Sequence, residues 1–285
     1  MHDVRFSREK CPIAAFDLDG TLVPDFSLIP SDRAVKTLKD LMDSGIKVVL
    51  ASGRDYSQID RRMLECFSYA VLTNGSCILD LSCGDLIWSR RIEWLRLYKA
   101  VKKIESFRGS AFLMQKGVIR GTEEGEKQVV STMLKNKGND TIIGGYSGTG
   151  TRYRRVIEAV NPFAEPTYKV QAFFRDGDDC SSAYEELRKD KELSVLIMFG
   201  TTIEITAAGV SKAAALNMLC ERFGYPPGSY AAFGDSRNDI EMLRASAYAV
   251  VMENGEQCAK DIADHIAPPV SEDGAAMAVS ELYGI

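Results

Sequence analysis

Two aspartates two residues apart, Asp17 and Asp19, stand in Phe16-Asp17-Leu18-Asp19-Gly20-Thr21-Leu22, directly after the apolar run of residues 12–16. A short apolar run of this kind reads as a buried strand. Period-two geometry can then turn both carboxylates toward one pocket. Two such charges repel unless a cation lies between them, and Mg²⁺ suits a site of few carboxylates completed by water and phosphate oxygens. An acidic turn after a strand uses the same residues, because Asp and Gly both favour turns. The pair therefore needs company before it means chemistry.

Three further pieces supply it. Leu50-Ala51-Ser52-Gly53-Arg54 is a strand running into a small polar turn, where the Ser52 hydroxyl and the backbone N–H groups around Gly53 can hold a phosphoryl oxygen. In Gly209-Val210-Ser211-Lys212, Ser211 can cap a helix and leave Lys212 at its positive end, where side chain and dipole both favour an anion. Gly234-Asp235-Ser236-Arg237-Asn238-Asp239 again joins a strand to a helix, with Asp235 at the sheet edge and Asn238 and Asp239 in the first helical turn. Helix capping competes for each residue taken singly.

The elements that must position these pieces follow from apolar periodicity. The start of the chain reads as strand 12–16, a Ser31-capped helix to residue 43, strand 47–50, helix 55–67 and strand 69–72. After residue 200 the alternation returns: strand 202–206, helix 211–223, strand 230–233, helix 236–245, strand 247–251 and helix 255–264. Strands alternating with helices imply a parallel sheet covered on both faces. Ligands bind such sheets beyond the carboxyl ends of the strands, so residues just after Phe16, Leu50 and Phe233 are expected in one crevice.

The chain has 285 residues, 45% hydrophobic and 26% charged, which is the composition of a globule able to bury a core. Thirty-five Lys plus Arg against forty Asp plus Glu leave a net charge of −5, which gives no general reason to bind nucleic acid. Seven scattered cysteines without a CxxC pair indicate neither a disulfide framework nor a zinc knuckle. They suit a reducing cytoplasm. Residues 1–10 lack the apolar stretch of a signal peptide, and no segment approaches the roughly 18 apolar residues needed to span a bilayer. With only His2 and His265, acids, bases and ligands must come mainly from carboxylates.

The middle of the chain has another texture: a helix with Trp94, Leu97, Tyr98, Val101 and Ile104 on one face, then Gly-rich loops and strands such as 168–174. The expected organisation is a discontinuous α/β core, residues 1–83 and 196–285, holding an inserted α+β domain, residues 84–195. The insert is net positive and the flanks net negative, a balance that would suit an anionic substrate beside an acidic metal site and would equally serve solubility.

Taken in order, the four pieces closely resemble the signature of the haloacid dehalogenase superfamily of phosphatases. The placement of the insertion, with Thr73-Asn74-Gly75 and Gly209-Val210-Ser211-Lys212, is similar to the Cof-type branch, subfamily IIB. The resemblance covers the flanks and the length of the insert, without any sequence match inside it. It implies a Rossmann-like parallel-sheet core with an inserted α+β cap. It further implies that Asp17 is the nucleophile, forming an aspartyl-phosphate, and Asp19 the acid that protonates the leaving oxygen and then the base that activates water. Mg²⁺ would be held by Asp17, Asp19 through its backbone carbonyl, and Asp235, with Asp239 and Asn238 supporting its waters. Ser52, Gly53, Lys212 and Asn238 would hold the phosphoryl group. The Pro common before the third piece is absent from Thr206-Ala207-Ala208-Gly209.

The resemblance leads to a Mg²⁺-dependent phosphatase acting on a small phosphorylated metabolite, with a sugar phosphate as the expected class and no nucleic-acid or membrane partner. A phosphomutase or phosphotransferase would share every motif and differ only in the acceptor. A non-catalytic phospho-aspartate switch would lack an acid two residues after the phosphorylated Asp. Gly145-Tyr146-Ser147-Gly148-Thr149-Gly150-Thr151-Arg152 mimics a phosphate-binding loop without its Lys and reads as an ordinary loop. Cys66, Cys77, Cys220 and Cys258 read as small apolar packing residues.

Overall fold

The computed structural model describes residues 6–24, 30–135 and 152–285; His2 and the loop residues 145–151 lie outside them. The strands, in chain order, are β1 (Ile13–Phe16), β2 (Lys47–Ala51), β3 (Tyr69–Leu72), β4 (Cys77–Asp80), β5 (Asp85–Ser89), β6 (Ser110–Gln115), β7 (Val118–Thr122), β8 (Arg152–Tyr153), β9 (Thr167–Phe173), β10 (Leu193–Met198), β11 (Thr202–Ala207), β12 (Tyr230–Gly234), β13 (Tyr248–Met252) and β14 (His265–Ala267). The chain divides into two compact units. The first comprises Met1–Arg54, Ile59–Trp88 and Ser211–Ile285; the second comprises Asp55–Gln58 and Ser89–Val210. Among the described residues no helix is long and apolar enough to cross a membrane.

The first unit is an eight-stranded sheet in the order β14-β13-β12-β1-β2-β3-β4-β5. Strands β14 through β3 pair in parallel and β4 turns back antiparallel on β3. The parallel strands IAAF, YAAFG and YAVVM are buried at every position, as strands covered on both faces must be. On one face Ile13, Ala15, Val49 and Ala232 pack with Ala215, Leu216 and Leu219 of helix Lys212–Arg222. Phe16 and Phe233, level with each other in the β1–β12 register, stack with centroids 4.3 Å apart. Helix Asp32–Asp43 begins where expected: Ser31 Oγ accepts a hydrogen bond from Ala34 N at 2.9 Å.

The second unit is a six-stranded sheet, β10-β11-β9-β6-β7-β8, antiparallel except for β7 with β8. Side-chain alternation sends Val170 and Ala172 of β9 into a cluster with Leu97, Val101 and Ile104 of helix Trp94–Ser106. Trp94, expected on that face, is 41% exposed. Lys169, on the other face of β9, forms a buried ion pair with Glu204 of β11.

Four expectations need correction. The strand expected at 202–206 in the flanking sheet is β11, which pairs antiparallel with β9 and β10 in the insert. Phe199 and Gly200, both with positive φ, form the tight reversal that pairs β11 antiparallel with β10. The insert thus extends to Val210, where residue 195 was expected, and begins at Ser89 rather than 84. The helix expected over 55–67 is a 3₁₀ turn, Tyr56–Gln58, followed by helix Arg61–Leu64, because Asp60 starts a new helix by accepting from Arg62 N. Likewise, only Gln257–Lys260 is helical within 255–264.

Candidate active site

The carboxyl ends of the parallel strands deliver the acidic residues. Phe16 lies level with Phe233 and Leu50, so Asp17, Ser52 and Asp235 each follow within two residues of one row across β2, β1 and β12. Asp17 N donates to Phe233 O at 2.9 Å. One carboxylate oxygen from each of Asp17, Asp235 and Asp239 lies within 4.8 Å of the other two. Asp17 and Asp239 are buried and Asp235 is 8% exposed.

Lys212, the first residue of helix Lys212–Arg222, is 1% exposed and bridges this cluster. Its Nζ donates to Asp17 Oδ1 and, at 2.7 Å, to Asp239 Oδ1. Asp239 Oδ2 in turn accepts from Asp235 N and Ser236 N, both at 3.1 Å. Asp239 is therefore engaged on both oxygens, by an ammonium on one side and by two backbone amides on the other. Burial, reinforced by the charges of Asp239 and Asp19 and opposed by Lys212, pushes Asp17 up to about 8. Burial alone would lower Lys212, but its two carboxylate partners outweigh this and hold the ammonium charged.

The loop after β1 is built around Asp235. Gly20 has φ +76, and a Cβ there would stand 2.4 Å from Asp235 Oδ2, so only glycine permits this approach. Thr21 Oγ1 lies 3.4 Å from Asp235 Oδ1. Asn254, in the loop after β13, donates to Gly20 O at 2.9 Å and accepts from Val270 N at 2.8 Å. Glu256 N holds Asp235 O at 2.7 Å.

Asp19 stands apart from the acidic trio. Its carboxylate takes both prongs of Arg54, Nε to Oδ2 at 2.9 Å and Nη2 to Oδ1. Ser52 is fully buried and its Oγ accepts from Arg54 N at 3.1 Å. Asn238 Oδ1 accepts from Ser236 Oγ at 2.7 Å. The three acids expected at or behind a metal through their side chains, Asp17, Asp235 and Asp239, converge; Asp19, expected there through its backbone carbonyl, turns its side chain to Arg54. Arg54, Thr21 and Asn254 had no role in the sequence reading. Arg54 lies in the turn after one parallel strand, and Asn254 two residues beyond the end of another, a placement that points to the site.

The donor set fits a hard divalent cation. It offers oxygens only, from acids among which burial and then the charge of Asp239 raise Asp17, and a cation would relieve both. A carboxylate placed between such a cation and a charged lysine can act as a nucleophile toward phosphorus.

A doubly covered parallel sheet carrying acids at its strand ends, with an α+β insertion, is an α/β enzyme architecture with its ligand site beyond the strand ends. The chain matches the haloacid dehalogenase-like hydrolases over residues 14–279 and belongs to that family. It is 29% identical to a 5-amino-6-(5-phospho-D-ribitylamino)uracil phosphatase, YcsE of Bacillus subtilis, over 94% of each chain. It is 27% identical to a phosphoglycolate phosphatase of Methanoculleus marisnigri, again over 94% of each. Its fold superimposes on a haloacid dehalogenase-like hydrolase from B. subtilis with a TM-score of 0.81 at 22% identity, covering 94% of this chain and 99% of the other.

Proposed function

We propose that this protein is a Mg²⁺-dependent phosphatase that hydrolyses a small phosphorylated metabolite through an aspartyl-phosphate on Asp17. The observation that carries the reading is the convergence of Asp17, Asp235 and Asp239 around Lys212. Asp17 and Asp235, with Asp239 behind them, would hold the cation, which when bound would supply charge neutralisation at the phosphoryl oxygens. Asp17 attacks phosphorus. Lys212, the Ser52 hydroxyl and the amides near Gly53 and Asn238 steady the equatorial oxygens, where the loose transition state concentrates charge. Asp19, oriented by Arg54, gives its proton to the leaving oxygen and then takes one from the water that cleaves the acyl phosphate. Because Asp19 must carry that proton, its side chain serves as acid and base and its backbone carbonyl is left for the metal.

The substrate class proposed is a sugar or polyol phosphate. The relatives' names support a small phosphomonoester, one carrying a phosphorylated ribityl chain and the other phosphoglycolate. The seven cysteines form no disulfide, which supports the reading of a reducing, cytoplasmic location. The test is p-nitrophenyl phosphate hydrolysis with and without Mg²⁺, wild type against Asp17→Asn, followed by a panel of phosphorylated sugars and polyols. Metal-dependent release abolished by the substitution is expected. Stable phosphorylation without turnover would replace the hydrolase with a switch, and transfer to an added sugar in preference to water would make it a phosphotransferase.

A further inference from the structure

The motif Thr73-Asn74-Gly75 has no part in that chemistry, yet it holds the most unusual backbone in the first unit. Thr73, Asn74 and Gly75 have φ of +50, +60 and +99. Three consecutive left-handed residues are rare, and a β-branched residue in that region is a genuine outlier. Thr73 Oγ1 is also buried without a hydrogen-bond partner among the described residues. The four residues between Leu72 and Cys77 only have to join β3 to β4, and a four-residue hairpin connection is most often built on a type I turn, which needs no left-handed threonine. Hairpin closure therefore does not explain the conformation.

Its contacts do. Thr73 N donates to Arg54 O at 3.0 Å and Asn74 N to Ser52 O at 3.1 Å, while Ser52 N is tied to Val71 O at 2.8 Å. The turn thus fixes the backbone on either side of Gly53. Its other side meets the start of helix Lys212–Arg222: a Cβ on Gly75 would lie 2.2 Å from Ser211 O and 3.0 Å from Lys212 N. Those are backbone atoms, which cannot swing aside as a flexible side chain would. Strain of this kind persists where surrounding structure over-determines it, and it clusters at functional sites.

We propose that the left-handed turn Thr73–Gly75 is a positioning element that sets the Ser52–Arg54 turn and the helix start bearing Lys212 at a fixed separation, with Gly75 as its positioning residue. The inference rests on the phosphatase reading for its catalytic consequence, since Ser52 and Lys212 act together on the phosphoryl group only if that reading holds. Its structural content, that Gly75 seats Lys212 against Asp17, stands separately.

The experiment compares Gly75→Ala with Gly45→Ala. Gly45 also has positive φ, at +92, but a Cβ there meets nothing within 4 Å, so it reports the backbone penalty alone. In Gly75→Ala, kcat for p-nitrophenyl phosphate is expected to fall by about 10- to 100-fold with KM little changed, the usual cost of a misplacement near 1 Å. Gly45→Ala should keep wild-type kcat. Acetylation by a water-soluble succinimidyl ester, read by peptide mass spectrometry, should spare Lys212 in wild type and Gly45→Ala and modify it faster in Gly75→Ala. Wild-type kcat with a protected Lys212 in Gly75→Ala would overturn the proposal, as would an equal kcat loss in Gly45→Ala. A wild type without phosphatase activity would sink the phosphatase reading, and the Lys212 labelling would still decide the positioning. Should Gly75→Ala not fold, amide exchange in wild type takes its place: Thr73 and Asn74 amides as protected as that of Ser52 sustain the proposal, and unprotected exchange refutes it.

Discussion

Arg54 grips Asp19 with two donors, Nε on Oδ2 at 2.9 Å and Nη2 on Oδ1, so the turn that carries Ser52 also aims the residue proposed as acid and base. The Arg54 side chain is only 11% exposed, and a planar fork on a carboxylate fixes direction as well as charge. Asp19→Asn should lower turnover by about 10²-fold or more, on the usual scale for a general acid–base group. Arg54→Lys, which keeps the charge and loses the fork, should lose about 10-fold or more, because the carboxylate is then no longer aligned. Steady-state kinetics on one substrate checks both, and near-normal turnover in Asp19→Asn would remove that residue from the mechanism.

Lys212 answers to two carboxylates at once. Lys212→Met leaves both buried and uncompensated, which should destabilise the metal-free protein by about 3–5 kcal/mol. Turnover should fall by about 10²-fold or more with the loss of a preorganised charge at the phosphoryl oxygens. The same change removes the positive charge nearest the acidic trio, so Mg²⁺ affinity should rise. Urea denaturation without metal and Mg²⁺ titration by thermal shift measure the two effects, and unchanged stability would show that the pair is not formed in solution.

Chelation should abolish turnover and Mg²⁺ should restore it. A cation bound where the three acids meet should also raise Tm; at a concentration 100 times its Kd the gain is about 2.7 kcal/mol. Asp235→Asn should reduce both responses, since Asp235 offers an oxygen to the cluster. A thermal shift of wild-type size in Asp235→Asn would place the ion elsewhere.

Asp55 gives a pH signature in the second unit. Burial raises its carboxyl above the ordinary range, although Ser57 and the Gly117 amide donate to it. The folded chain therefore keeps this proton to a higher pH than the unfolded chain does. As pH rises from about 4, the ordinary carboxylate value, through the raised value, folding stability falls by this contribution and then levels off. Asp55→Asn should flatten that segment of a stability–pH profile measured by urea denaturation, and parallel profiles for the two proteins would contradict the assignment.

Asp17, Ser52 and Asp235 were legible because parallel strands must end at one edge, so an apolar run followed by a polar residue gives the position. Ser211 and Lys212 were legible through helix-cap chemistry. The grip of Arg54 on Asp19 was not, because periodicity says nothing about where a long side chain reaches across a loop. Strand β11 was misassigned for a related reason: its run TIEITA has the same apolar rhythm in either sheet, and what decided was the left-handed pair Phe199–Gly200. The break in the helix expected over 55–67 turned on Asp60 spending its carboxylate on a new helix start, a local choice that apolar spacing cannot reveal.

The placement of β12 between β1 and β13 has a bearing on biosynthesis. β1 leaves the ribosome long before one of its two neighbours, which begins only at Tyr230. Contacts of such sequence separation form slowly, and N-terminal segments emerge well before them. The nascent chain must keep Asp17 waiting beside β2 until Asp235 and Asp239 arrive, so the acidic cluster is completed only after more than 200 further residues have been added. A ribosome stalled before Tyr230 would hold a chain with Asp17 made and the other two acids of the cluster still missing.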